Sequence, residues 1–479
     1  MPKPFYITTT LPYVNADPHI GFAMEIIRAD VIARAKKLQG YDVFFNTGTD
    51  EHGQKLFIEA GKAGKDVKEF VDGYAERFKG LISLLQINPD VHFIRTTDKH
   101  HEKAAQEFWK VCNKNGFIYK KAYKIKYCVG CELEKTDSEL ENGRCILHPN
   151  LEIELIDEEN YFFKFSDFQN KLLGLYKDRP DFVVPDFRLN EIKSFVERGL
   201  EDFSISRLKS KMSWGIAVPG DDSQVMYVWF DALVNYISTL GWPEDKENFE
   251  KFWQDGTPTQ YCGKDNLRQQ SAMWQAMLMA AGLPPSNQIV INGFFTGEGG
   301  VKMSKSAGNT VSPYDVVKEF GAEALRYYVC AEVSMFEDSP VSMELIKQSY
   351  NAKLANGLGN LVSRIMKMAQ DNLTEPVQIP ERENMEEYFG LLNRFEISRA
   401  VNLIWQKISE MDLFIQENQP FKVVKTDREA GQKMITDLVV KLYSVAIMLN
   451  PVLPETSAKI KELIKANKMP EKPLFVRKD

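Results

Sequence analysis

A histidine opening a predicted helix and two lysines in a glycine-rich stretch are residue types suited to holding a chain of phosphates. In Pro18-His19-Ile20-Gly21-Phe22 the proline fits a first helical turn, His19 stands at its start, and Gly21 leaves room beside the backbone. Such a helix end offers N–H donors and the positive end of a macrodipole to a triphosphate, with His19 as an added donor. Far downstream, Gly297-Glu298-Gly299-Gly300-Val301-Lys302-Met303-Ser304-Lys305-Ser306 delivers two lysines and two hydroxyls. A loop of that kind can close over a pyrophosphate leaving group and stabilise charge that develops in a transition state. Each segment alone has a plainer reading, a packing histidine in the first case and a solvated loop in the second. A third constellation is metal-binding: Cys128-x2-Cys131-x13-Cys145-x2-His148 spaces two ligand pairs for a tetrahedral structural zinc.

Elements of the right kind surround these residues. Phe5-Tyr6-Ile7-Thr8-Thr9 is β-prone, Phe22, Ile26, Ala29 and Ala33 follow helical spacing, and Asp42-Val43-Phe44-Phe45-Asn46 is a second strand. This βαβ opening predicts an α/β fold: a doubly wound, Rossmann-like parallel sheet, which binds nucleotides at the carboxyl ends of its strands. Short β-prone pieces around the cysteines predict a knuckle-bearing insertion. Strands and helices then resume at Val225-Met226-Tyr227-Val228, Gln260-Tyr261-Cys262 and Gln288-Ile289-Val290-Ile291. Long helical periods such as Leu354, Leu358, Leu361 and Ile365 predict a terminal α-helical bundle. The expected divisions are 1–117 and 208–292 for the two halves of the sheet domain, 118–207 for the insertion, 293–342 for a linker carrying the lysines, and 343–479 for the bundle.

The histidine and lysine segments, in this order and in a sheet domain, resemble the two signatures of the class I aminoacyl-tRNA synthetases. Further blocks resemble the methionyl-tRNA synthetases within that family: Leu11-Pro12-Tyr13-Val14-Asn15, Gly48-Thr49-Asp50-Glu51-His52-Gly53, Tyr227-Val228-Trp229-Phe230-Asp231-Ala232-Leu233, Gly263-Lys264-Asp265 and Asn360-Leu361-Val362-Ser363-Arg364. The resemblance implies ATP-dependent activation of methionine and its transfer to the terminal ribose of tRNA(Met), with ATP as substrate, Mg²⁺ at the phosphates and one structural Zn²⁺. It implies an apolar, polarizable slot for the thioether at Leu11, Tyr13, Trp229, Ala232, Leu233 and Tyr236, with Asn266 and Gln270 also lining it and Asp50 holding the ammonium group. ATP would meet Asn15, His19, Gly21, Gly263, Asp265 and Lys305, with His19, Lys302 and Lys305 carrying the catalysis. Asn360, Arg364 and Phe421 would read the anticodon by hydrogen bonds and stacking, and the cysteine–histidine set would be a closed structural site.

Some positions depart from the family pattern. Phe22 replaces a second histidine, Asn266 an aliphatic residue, Gln270 a histidine and Phe421 a stacking tryptophan. A buried amide at Asn266 would be costly unless paired. Two other readings therefore stand beside the ligase: a diverged paralogue that activates another amino acid or delivers methionine elsewhere, and a tRNA-binding relic without catalysis.

Composition bounds all three. A chain of 479 residues, 44% hydrophobic and 27% charged, has the make-up of an ordered, multidomain globular enzyme. The net charge of -7 requires that any RNA be met by a local basic track, for which Lys120, Lys121, Lys124, Lys126, Arg207, Lys209 and Lys211 are candidates. With no long apolar segment at its start or elsewhere, and few cysteines, the chain is expected in the cytoplasm. Without an appended association module it is expected to be a monomer.

Overall fold

The computed structural model describes residues 2–131, 133–135, 139–297, 310–380 and 385–479. Its contacts divide the chain into two compact units, one of residues 1–17, 42–80 and 90–291, the other of 18–41, 81–89 and 292–479.

The first unit is built on a six-stranded sheet in the order His92–Arg95, Asp42–Thr49, Pro4–Thr9, Pro258–Gly263, Gln288–Asn292, Val183–Val184. Pro4–Thr9 lies parallel to both its neighbours, with Ile7 opposite Phe45 on one side and Thr259 on the other. Five of its six residues are buried, as a strand covered on both faces requires. The order reverses direction at this strand, the topological switch point at which such sheets bind ligands. Loops from Thr9, Thr49 and Gly263 therefore all leave from the carboxyl ends of three adjacent strands.

Ile118–Cys128 and Glu154–Phe163 pair antiparallel over ten residues, Ile118 facing Phe163, and form the centre of a four-stranded sheet. The expected strand at Val225–Val228 is different in kind. Asp221–Met226 lies in a separate three-stranded antiparallel sheet, and a short helix, Val228–Ala232, follows at once. A short apolar run marks a buried strand without saying which sheet holds it. A large aromatic core fills the unit, including Phe108, Trp109, Phe163, Phe230, Trp253 and Trp274.

The second unit contains the helix Ile20–Leu38 and is otherwise largely helical, with Ile397–Asn418 and Arg428–Leu449 its longest later members. Two short strands, Phe295–Thr296 and Ser339–Pro340, pair parallel within it. No helix among the described residues is long and apolar enough to cross a membrane.

Candidate active site

Asp50 is the first residue beyond its strand and is 4% exposed. Its backbone N–H donates to the Pro12 carbonyl at 3.0 Å, and Tyr13 forms a parallel bridge with it, so two strand ends are laced together at the switch point. The next two residues are fixed from opposite sides. Glu51 is buried and accepts from Arg95 Nε at 2.6 Å and Nη2 at 2.8 Å, from Thr49 Oγ1 at 2.6 Å and from Thr97 Oγ1 at 2.6 Å. Arg95 also reaches Asp72, and these two carboxylates, working against burial, hold its guanidinium charged more firmly than usual. His52 Nδ1 lies 2.7 Å from Asp231 Oδ2, and its carbonyl accepts from Tyr13 Oη at 2.6 Å.

Asp231 is buried and bridges two histidines, with His101 Nε2 2.8 Å from its other oxygen and Ser238 Oγ 2.8 Å from His101 Nδ1. Burial raises the Asp231 pKa, but His52 and His101 outweigh it and hold the carboxyl below its ordinary range. Burial likewise lowers His52, and Asp231 lifts it above the usual histidine value. Asp231 belongs to the helix that carries Trp229 and Ala232, so one carboxylate ties the Asp50 turn to the residues predicted for the apolar slot. Leu11, Ala232, Leu233 and Tyr236 are buried and Trp229 is half-buried.

The positions that looked awkward in sequence are satisfied locally. Gln270 is buried, accepts from Gln260 Nε2 and donates to Tyr236 Oη at 2.6 Å. Asn266 is only half-buried, in a single turn that follows Gly263, and donates to Asp265 Oδ1 at 3.1 Å. The unpaired buried amide expected there does not form. Asp265 reaches solvent yet is crowded by protein, and that burial raises its pKa. The Asn15 amide lies 3.2 Å from the Tyr13 carbonyl and 3.1 Å from Lys55 Nζ.

In the second unit, His19 caps its own helix. Nδ1 accepts from Gly21 N–H at 3.1 Å, which places the ring proton on Nε2, while the His19 carbonyl accepts from Phe22 and Ala23. Gly21 makes room for that ring, since a Cβ there would lie 2.8 Å from His19 Cε1. Several first-turn donors are thus already engaged. Phe22 stacks on the imidazole at 4.3 Å between centroids. Lys302 and Lys305 lie outside the described residues.

Cys128, Cys131, Cys145 and His148 converge, their ligand atoms all within 4.8 Å of one another. Cys131 Sγ is 3.5 Å from Cys145 Sγ and 3.2 Å from His148 Nδ1, close to the tetrahedron edge of about 3.5–3.8 Å that zinc bond lengths imply. Only glycine fits at 130, where a Cβ would lie 2.6 Å from the His148 ring. Burial raises both thiols, and the bond between them divides the pair: the Cys131 thiol and the Leu147 and His148 N–H groups bring Cys145 below the usual thiol value, while Cys131 is pushed up to about 12.

Comparison with known proteins gives these sites a relation. The family model described as "tRNA synthetases class I (M)" matches residues 5–148 and 130–366. The methionine–tRNA ligase of Thermotoga maritima is 39% identical over 98% of this chain and 76% of its own. That of Rickettsia bellii is 36% identical over 98% and 94%. The chain belongs to the methionine–tRNA ligase family of class I synthetases. Among solved structures, Mycobacterium tuberculosis methionyl-tRNA synthetase in complex with methionyl-adenylate superposes with a TM-score of 0.90 at 36% identity, covering 96% of this chain and 93% of that one.

The positions at which this family was expected to read an anticodon lie on exposed helical surface of the second unit. Asn360 and Arg364 are one turn apart on Asn360–Asn372, and Arg364 pairs with Asp412 of Ile397–Asn418. That helix ends at Gln419, whose left-handed φ of 46° turns the chain so that Phe421 is 42% exposed. Sequence reasoning assigned no role to Glu51, His52, Arg95, His101 or Asp231. Glu51 and His52 could have been suspected as charged neighbours of Asp50 beside a buried strand. His101, on an amphipathic helix, carries no such signal.

Proposed function

We propose that this protein activates methionine with ATP to methionyl-adenylate and transfers the methionyl group to tRNA(Met). The observation that carries the reading is the likeness, over nearly the whole chain, to a synthetase solved with methionyl-adenylate, together with a buried carboxylate, Asp50, at the switch point of the parallel sheet.

Asp50 holds the methionine ammonium group. Leu11, Tyr13, Trp229, Ala232, Leu233 and Tyr236 surround the thioether, with Asn266 and Gln270 at the same slot. A methionine carboxylate oxygen attacks the α-phosphorus in line, an O–P bond forms, the bond to the β-phosphate breaks, and pyrophosphate leaves with that electron pair. No protein nucleophile is needed; placement and charge stabilisation supply the rate. Asn15, Gly21, Gly263 and Asp265 orient ATP, while His19 Nε2–H, Lys302 and Lys305 face the phosphates. Mg²⁺, when bound, neutralises phosphate charge. A hydroxyl of the terminal tRNA ribose then attacks the carbonyl carbon and AMP leaves.

Cys128, Cys131, Cys145 and His148 hold one structural zinc, whose four protein ligands leave no position for substrate. Asn360, Arg364 and Phe421 contact the anticodon, and the protein acts in the cytoplasm as a monomer. The decisive measurement is ATP–pyrophosphate exchange with each of the twenty amino acids, repeated with Lys305→Ala. Exchange is expected with methionine and to be strongly reduced in the variant. Faster exchange with another amino acid refutes the specificity, and undiminished exchange in Lys305→Ala refutes the role given to that lysine.

A further inference from the structure

Arg28 lies in the middle of the helix that His19 caps, and it is fully buried. Its guanidinium donates to four carbonyls: Val329 at 3.0 Å from Nε, Met335 at 3.3 Å from Nη1, and Val333 at 3.2 Å and Ser334 at 3.0 Å from Nη2. Val329 is in the last turn of Ala322–Ala331, where carbonyls lack helical partners and the dipole favours a cation. The rigid planar fork therefore dictates the path of 329–335 more closely than an apolar side chain would.

That path leads to the segment preceding the lysines. Ser334 N–H donates to Ser339 Oγ at 3.0 Å, and Ser334 Oγ accepts from Glu337 N–H at 3.2 Å. Ser339 and Val341 then donate to the carbonyls of Phe294 and Thr296 at 2.9 and 3.0 Å, and Phe294 N–H donates to Asp338 Oδ1 at 3.0 Å. Gly293 is pressed against the same turn, where a Cβ would lie 2.2 Å from the Glu337 carbonyl oxygen. A continuous set of hydrogen bonds thus runs from the His19 helix, through Arg28, to Phe295–Thr296. Six residues after Thr296 comes Lys302.

We infer that Arg28 is a positioning residue for adenylate formation: it fixes the strand that leads into the Lys302–Lys305 segment in register with the helix that begins at His19. This rests on the proposed ATP chemistry, and it assigns Arg28 a role in the activation step rather than in methionine affinity. The helix carries the effect as a rigid rod, about 13 Å from His19 to Arg28 along its axis.

The test combines Arg28→Met with an exposed second variant, Asp338→Ala, which removes the acceptor for Phe294 N–H and leaves Arg28 in place. Hydrogen exchange, independent of activity, should show faster exchange at the amides of Phe294, Ser339 and Val341 in Arg28→Met, with the strand Pro4–Thr9 unchanged. In ATP–pyrophosphate exchange kcat should fall roughly tenfold or more, as small misplacements of reacting groups do, while the methionine KM stays within about twofold. Asp338→Ala should lower kcat by about threefold, on the scale of one lost hydrogen bond, and stands in if Arg28→Met does not fold. Both losses should nearly vanish in a Lys305→Ala background. Unchanged hydrogen exchange at those three amides overturns the inference, as do a methionine KM that rises in step with the fall in kcat and a loss that simply adds to that of Lys305→Ala. Absence of exchange in the unaltered protein would instead count against the proposed function, and the hydrogen-exchange comparison would still decide the role of Arg28.

Discussion

Gln270 has both ends of its amide engaged, accepting from Gln260 and donating to Tyr236. A neutral histidine offers the same pair of functions on its two ring nitrogens, one accepting and one donating. Gln270→His should therefore leave the methionine KM within about threefold. Gln270→Leu deprives Gln260 and Tyr236 of a partner each, a loss of about 1–3 kcal/mol per buried group, and should lower stability and raise the methionine KM together. Thermal melts and amino-acid titrations of the exchange reaction separate the two variants, and equal behaviour would show that the amide network is incidental. Asp50 is a simpler case, because a hydrogen bond to a charged group is worth about 1.5–3 kcal/mol. Asp50→Ala should raise the methionine KM by roughly 10- to 150-fold while the ATP KM hardly changes. A proportionate rise in both would remove Asp50 from the ammonium site.

At the scale of elements, the turn after Asp42–Thr49 is held by two ion pairs, the buried Glu51 with the half-buried Arg95 and the buried His52 with Asp231. Their pH dependence follows from the directions of the shifts. Asp231 is depressed, so its contribution is present above the unfolded carboxylate pKa of about 3.9 and is lost as pH falls through the lower folded value. His52 is raised, so its contribution is full below about pH 6.5 and fades as pH rises through the higher folded value. The pair stabilises most in mildly acidic solution. Urea midpoints measured from pH 5 to pH 9 should show an alkaline decline that Asp231→Asn largely abolishes, while the same variant raises the methionine KM by loosening the Asp50 turn. A pH profile identical in the variant would exclude the pair as its source. The convergence of Cys128, Cys131, Cys145 and His148 was legible beforehand because their spacing is local. The Asp231 bridge was not, since His52, His101 and Asp231 meet only through the sheet's topology.

Across the whole molecule, what could be read in advance was what periodicity encodes: the opening strand and helix, the parallel sheet and the helical second half. That the strand read at Val225–Val228 pairs in a separate antiparallel sheet was not legible, because a buried run looks alike in either sheet. Nor does periodicity reveal that Ile20–Leu38 belongs to the same unit as residues 292–479. Buried charge explains much of that grouping. Arg326 is fully buried and pairs with Asp30 at 2.7 Å while donating to the carbonyls of Leu85 at 3.1 Å, Pro451 at 2.8 Å and Val452 at 2.8 Å, so a single guanidinium ties four distant stretches of the second unit. Asp30 also accepts from Arg34 at 2.7 Å and from the Asn88 N–H at 2.9 Å. Removing one partner of a buried pair leaves the other desolvated and costs about 3–5 kcal/mol. Arg326→Met should therefore lower the unfolding free energy by about that amount, and Asp30→Asn should destabilise as well, because Arg34 and Arg326 donate to one carboxylate oxygen and Asn88 to the other whereas an amide has a single accepting oxygen. A chemical-denaturation series should give a double variant less destabilised than the sum of the two singles, since the second change removes the buried charge that the first left with Arg34 as its remaining cation. Simple additivity, or a loss below about 1 kcal/mol for Arg326→Met, within the range of exposed pairs, would mean that apolar packing alone holds the N-terminal helix in this unit.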